Sequence, residues 1–153
     1  MPRYSAGWSH VGVNTANKPM ANLSNTGTVE RLSVVEIGVE IAVAPTNAPL
    51  FALTRATARG TNTTTLAGQP HDAGDGASVG SVDSVWSADP TFSTTAFLRI
   101  AGLAVTAGGL IVWTFYDKPI MVDKTAASGL TVFNVNASGA STGTFAGYFC
   151  WEE

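Results

Sequence analysis

From Arg31 to Val43 the chain alternates, with Val35, Ile37, Val39, Ile41 and Val43 on one side and Glu36, Gly38, Glu40 and Ala42 on the other. A period of two over that length predicts a half-buried β-strand. Leu32 and Val34 stand in the opposite phase, which leaves two readings open: a bulge near Val34-Val35, or a first half buried on both faces. The Ala44-Pro-Thr-Asn-Ala-Pro49 stretch predicts a turn, since each proline removes a ladder donor and biases its predecessor away from the α region. Further strands are predicted over 50–59, 94–100, 109–116, 120–122, 129–135 and 144–151, separated by Gly-Gly, Asp-Lys-Pro and Asn-Ala-Ser-Gly turn signals. Between Gly60 and Pro90 only Ser81 to Ser87 alternates, so this stretch reads mainly as a long loop. With possible strands near 4–13 and 20–24 the count reaches about eight to ten, and the fold class is all-β: a two-sheet antiparallel β-sandwich of jelly-roll type. Residues 1–27 read as an N-terminal arm and 28–153 as the sandwich domain, because Asn14, Asn17, Asn22, Asn25, Gly7, Gly12 and Pro19 leave little periodicity in the first segment.

Composition narrows the function classes. Hydrophobic residues make up 45% of the 153 and charged residues 12%, about half the usual quarter, so part of the surface is expected to be covered by other chains. With 8 Lys+Arg against 11 Asp+Glu and a net charge of -3, there is no basic field for phosphates, and neither nucleic acid nor a membrane is an expected partner. No apolar run is long enough to cross a bilayer and the start carries no apolar leader-like region, so synthesis in the cytoplasm is expected. The single Cys150 excludes an intrachain disulfide, and two histidines cannot build the usual zinc sets, so no cofactor and no transition metal is expected.

Candidate chemistry is sparse. His71-Asp72-Ala-Gly-Asp75-Gly is the one cluster of titratable groups, but Asp and Gly favour turns for backbone reasons and no nucleophile accompanies His71. Asp72, Asp75 and Asp83 could offer oxygen ligands to a hard cation, although no bidentate Glu follows them. Of the aromatic residues, Trp8 and Trp86, flanked by Ser and Gly, are expected to be the exposed ones. Trp113 alternates with Ile111 and Phe115, and Trp151 with Phe149, which suits core packing or subunit contact. Cys150 reads as a small buried or interfacial hydrophobe. The sequons at Asn22, Asn62 and Asn136 are set aside for want of a secretory signal. No catalytic residues are assigned.

Two stretches carry a resemblance. Glu36-Ile-Gly-Val-Glu-Ile-Ala-Val-Ala-Pro-Thr-Asn-Ala-Pro-Leu-Phe-Ala-Leu-Thr-Arg-Ala-Thr-Ala-Arg-Gly60 and the ending Thr144-Phe-Ala-Gly-Tyr-Phe-Cys-Trp-Glu-Glu153 resemble a family of small bacteriophage proteins. That family shows the same order of an Glu-Ile-Gly strand, an Ala-Pro turn, a strand with a basic residue near Arg55, a Trp-containing strand like Leu110 to Phe115, and a Gly-Tyr-x-x-Trp-Glu-Glu end. The likeness covers roughly residues 30 to 153. It implies a β-sandwich virion component, a capsid cement or decoration protein on the head surface whose partner is the major capsid protein. A fold-level likeness of Phe145-Ala-Gly-Tyr148 to complement-type and tumour-necrosis-factor-like jelly rolls implies a homotrimer, as the low charge content does independently, and the alternating Trp113, Phe115, Phe149 and Trp151 are the expected subunit-interface residues. Residues 1–27 lie outside the resemblance. Their own composition, aromatic yet rich in Asn and Gly, predicts an arm that orders on the capsid through Arg3, Tyr4, Trp8 and His10, the alternative being that Tyr4 to Val13 forms an ordinary edge strand of the sandwich. The alternative is a carbohydrate- or receptor-binding module of a phage fibre, which would need exposed aromatic rings converging on one face.

Overall fold

The computed structural model describes residues 1–11, 17–125, 128–135 and 143–153. Thirteen strands run in the order β1 (Arg3–Val11), β2 (Pro19–Asn25), β3 (Leu32–Val43), β4 (Leu50–Ala58), β5 (Thr61–Ala67), β6 (Gln69–Pro70), β7 (Gly80–Ala88), β8 (Thr91–Phe92), β9 (Arg99–Gly102), β10 (Leu110–Thr114), β11 (Ile120–Val122), β12 (Gly129–Asn134) and β13 (Thr144–Glu152). They form two antiparallel sheets packed as a sandwich. The first has the order β10-β3-β13-β1-β6 with β11 also on β3, and the second β5-β7-β2-β12-β4-β8 with β9 also on β4.

The alternation in β3 does what its period requires. Ile37, Val39 and Ile41 enter the core between the sheets, where they meet Phe145, Phe149 and Trp151 of β13, Phe51 and Leu53 of β4, and Leu130 and Val132 of β12. Both open readings of its first half hold. The register with β13 slips between Cys150 and Trp151, which face Glu36 and Val34 and leave Val35 as the bulged residue. Leu32 to Val35 are also all buried.

The N-terminal segment is no arm. β1 pairs with β13 along its whole length, from Arg3 opposite Glu152 to Val11 opposite Thr144, and β2 lies inside the second sheet between β7 and β12. The total accessible surface of 6924 Å² sits slightly below the roughly 7,300 Å² that scaling gives a compact monomer of this mass. Nothing among the described residues projects as an extended tail. The failed expectation has a physical cause: β2 is buried on both faces, and its outward Asn22 and Ser24, alternating with the core residues Ala21 and Leu23, are covered by a polar ladder although they have the composition of a solvated segment. Residues 12–16, the remainder of the expected arm, and the turn signal at 136–139 lie outside the described residues.

The expected long loop is likewise mostly strand, since β5 and β7 occupy 61–67 and 80–88. The threonines of β5 are exposed, and its register with β7 shifts three times, which erased the alternation.

The outer side of the second sheet is covered. Phe92 and Phe97 lie against Phe133 with ring centroids 4.9 and 5.9 Å apart, and the Thr54 hydroxyl donates to the Ala96 carbonyl at 2.8 Å. Beside this cover runs a buried polar ladder. Thr131 donates to Asn22 Oδ1 (2.8 Å), Asn22 Nδ2 to Ser24 Oγ (2.7 Å), and Ser24 Oγ to Asp83 Oδ2 (3.2 Å). Arg59 closes it with a two-pronged pair, Nε to Oδ2 at 2.7 Å and Nη2 to Oδ1 at 2.8 Å, and Thr65 adds a hydroxyl at 2.8 Å. Every lone-pair direction of Asp83 is thus engaged, which is what tolerates a charge with no solvent exposure.

Candidate functional site

Among the described residues the outer side of the first sheet has no cover, and its composition follows from strand alternation. With the apolar phase turned inward, the register brings Leu110, Glu40, Ala146 and Ser9 into one row, Val112, Gly38, Tyr148 and Gly7 into the next, and Thr114, Glu36, Cys150 and Ser5 into a third. The result is a shallow face of small, aliphatic and acidic groups. Gly38 is required there: the Tyr148 ring packs against it, and a Cβ at that position would stand 2.2 Å from a ring carbon. Gly147, on the inward side of β13, lets Trp8 and the Gly38 carbonyl approach to where a Cβ would be 2.7 and 2.2 Å away.

The tyrosines converge on one carboxylate. Tyr148 donates to Glu36 Oε1 at 2.5 Å and Tyr116 to Oε2 at 2.9 Å. Arg3 donates from Nη2 to Glu152 Oε1 at 2.5 Å and stands 5.8 Å from the centre of the Tyr116 ring. Burial, followed by the hydrogen bond to Glu36, pushes the Tyr148 phenol up to about 12. The Tyr116 phenol is raised chiefly by its bond to the same carboxylate, and burial pushes the Cys150 thiol up. All three shifts move away from neutrality and hold the groups protonated. They stand on this face as neutral phenols and a neutral thiol rather than as phenolates or a thiolate.

The assigned contact residues are split by the fold. Arg3 is on this face, but Tyr4 and Trp8 are not surface groups. Tyr4 stacks on Trp151 (centroids 6.4 Å apart) and donates its hydroxyl to the Gly76 carbonyl at 3.2 Å, while Trp8 is 4% exposed. Their positions in β1 alternate inward, which places both in the core. His10 Nδ1 lies 2.8 Å from the Ser84 carbonyl, bridging the sheets rather than facing solvent. The four expected subunit-interface residues, Trp113, Phe115, Phe149 and Trp151, are all buried by their own chain, so the interface assigned to the trimer is internal packing. Trp86 is half-buried, and neither it nor Trp8 forms an exposed platform.

The acidic candidates do not converge. Asp72 accepts the Gly74 amide at 2.9 Å and its carbonyl accepts the Asp75 amide at 3.0 Å, a closed turn, whereas Asp83 is held by Arg59. Among the described residues no three His, Cys, Asp or Glu side chains are grouped to hold a metal. His71 Nε2 sits 3.2 Å from the Ser5 hydroxyl. One cavity of about 270 Å³ is lined by His10, Lys18, Pro19, Val85, Trp86 and Asp89, with His10 Nε2 and Trp86 Nε1 finding no hydrogen-bond partner among the described residues and the Lys18–Asp89 ion pair on its wall.

Sequence reasoning passed over Glu36, Leu110 and Val112, and took Tyr116 and Tyr148 only as two of the many aromatic residues that could line a sugar-binding face. The signal that could have found them is their phase: each stands out of step with the core positions of its strand. No protein-family model matches the chain, and no curated protein matches it.

Proposed function

We propose that this chain is a structural virion protein, a cement or decoration protein that sits on the head of a bacteriophage and contacts the major capsid protein, with no catalytic turnover. The observation that carries this reading is the uncovered outer face of the first sheet, where Leu110, Val112, Ala146 and Gly7 leave a shallow surface bordered by Glu40, Glu36 and Arg3. A flat face of this kind suits a broad contact with another protein, and repetition over a lattice turns modest affinity into avidity. The resemblance of residues 30 to 153 to small phage virion proteins supports the same reading. Co-sedimentation of the purified chain with capsid shells that lack it is the test. Binding is expected, and Glu40→Arg, between Leu110 and Ala146 at the border of the face, is expected to abolish it with an unchanged Tm. Failure of the intact chain to sediment with the shells, or indifference to Glu40→Arg, removes the proposal.

One observation favours the second reading, a carbohydrate- or receptor-binding module: Tyr116 and Tyr148 converge on Glu36 on an open sheet face. Binding to a glycan, lost in Tyr116→Ala, together with no binding to shells would establish it instead.

A further inference from the structure

The open strand edges of the sandwich are not alike. An exposed edge offers unpaired amides and carbonyls to any other chain, and proteins blunt it with bulges, charges, short strands or a covering segment. β5 carries three register shifts. β8 has two residues, and β9 has four and begins with Arg99. β1 is covered at Tyr4 and Ser5 by β6 and continues through Gly7, a weak strand former. β11 has its Met121 carbonyl taken by Arg55 Nη1 at 2.8 Å. β10, Leu-Ile-Val-Trp-Thr, has no charge, no proline and no bulge, and no described residue covers its edge.

Its unpaired groups can be assigned. The Gly109 carbonyl accepts from the Ile41 amide at 2.9 Å and the Phe115 amide donates to the Val35 carbonyl at 2.8 Å. Residues 109, 111, 113 and 115 therefore turn their backbone groups toward β3, and Leu110, Val112 and Thr114 turn theirs outward. Leu110 and Val112 are also 56% and 43% exposed.

We infer that two copies of this chain pair antiparallel through their β10 edges, joining the first sheets into one continuous sheet across a two-fold axis. The register centred on Val112 opposes Val112 to its own copy and Leu110 to Thr114, with two hydrogen bonds at each of the opposed pairs. It also sets aliphatic and β-branched side chains against one another with no like charges facing. The same register lays Tyr116 of one copy over Gly108 of the other, where there is no side chain to clash. This association stands apart from the capsid reading and needs only the pure chain.

One strand pair buries less than the roughly 1,000 Å² of a stable complex, so the dimer is concentration-dependent. Sedimentation velocity from about 10 µM to about 1 mM is the experiment, with variants of each edge. The wild type is expected to rise from the 15.8 kDa chain mass to twice that value. Val112→Lys and Val112→Pro are expected to stay at the chain mass with unchanged Tm, since the outward amide of Val112 makes no bond in the fold. Ser9→Lys on β1 is expected to associate as the wild type does. A wild type that stays monomeric or reaches three times the chain mass, a Val112→Lys chain that still doubles, or a Ser9→Lys chain that does not, overturns the inference.

Discussion

Arg59→Met removes the guanidinium that compensates Asp83, the one fully buried carboxylate among the described residues. Asp83 has 0% side-chain exposure and Arg59 24%, so the pair lies far from the surface regime in which ion pairs contribute at most about 1 kcal/mol. Breaking a buried pair by deleting one partner costs about 3–5 kcal/mol. The hydroxyls of Thr65 and Ser24 remain on the carboxylate and offset part of this, which sets the expectation at about 3 kcal/mol, a fall in Tm of about 6–12 °C for a domain of this size. Asp83→Asn is expected to cost about 1–2 kcal/mol, because it keeps the shape and leaves Arg59 able to reach water. Combining the two completes a double-mutant cycle, and urea unfolding followed by circular dichroism is the assay. The double variant is expected to be more stable than the sum of the single losses by about 2 kcal/mol, the sign of direct coupling. A loss below about 1 kcal/mol for Arg59→Met, or strict additivity, would refute the claim that this ladder is an interior network.

Two further outcomes are expected. The Tyr148 phenol is raised from 10.0 to about 12 in the folded state, so the stability it contributes is fully present below pH 10 and lost as pH rises from 10 toward 12. Partial solvent access limits that contribution to about 2 kcal/mol, and Tyr148→Phe is expected to flatten the slope of unfolding free energy against pH across that window; an unchanged slope contradicts the assignment. Gly147→Ala is expected to cost about 3 kcal/mol or more because the added carbon would meet the Gly38 carbonyl at 2.2 Å, whereas Gly7→Ala, whose nearest neighbour is 3.6 Å away, is expected to be within about 0.5 kcal/mol of wild type. Equal melting temperatures for the two alanine variants would show that the strands part at little cost.

What the sequence by itself determined is set by short-range periodicity. The alternation of Val35 to Val43, the Phe149/Trp151 phase and the Gly and Pro punctuation are enough for an all-β sandwich, because a strand that buries one face must alternate whatever its neighbours are. The predicted spans for β3, β11, β12 and β13 follow from that rule. Tertiary structure decided the rest, for reasons a one-dimensional pattern does not contain. The half-polar β2 is a central strand because a second layer, Arg59 and the hydroxyl ladder, satisfies Asn22 and Ser24 on its outer side, a cover that the local sequence of β2 does not contain. Tyr4 and Trp8 entered the core because β1 pairs with a strand more than a hundred residues away, so groups that resembled interface anchors became interior packing. Whether Glu36, Tyr116 and Tyr148 meet likewise depends on the register of β10, β3 and β13, and a slip of one residue would turn every one of them to the opposite face.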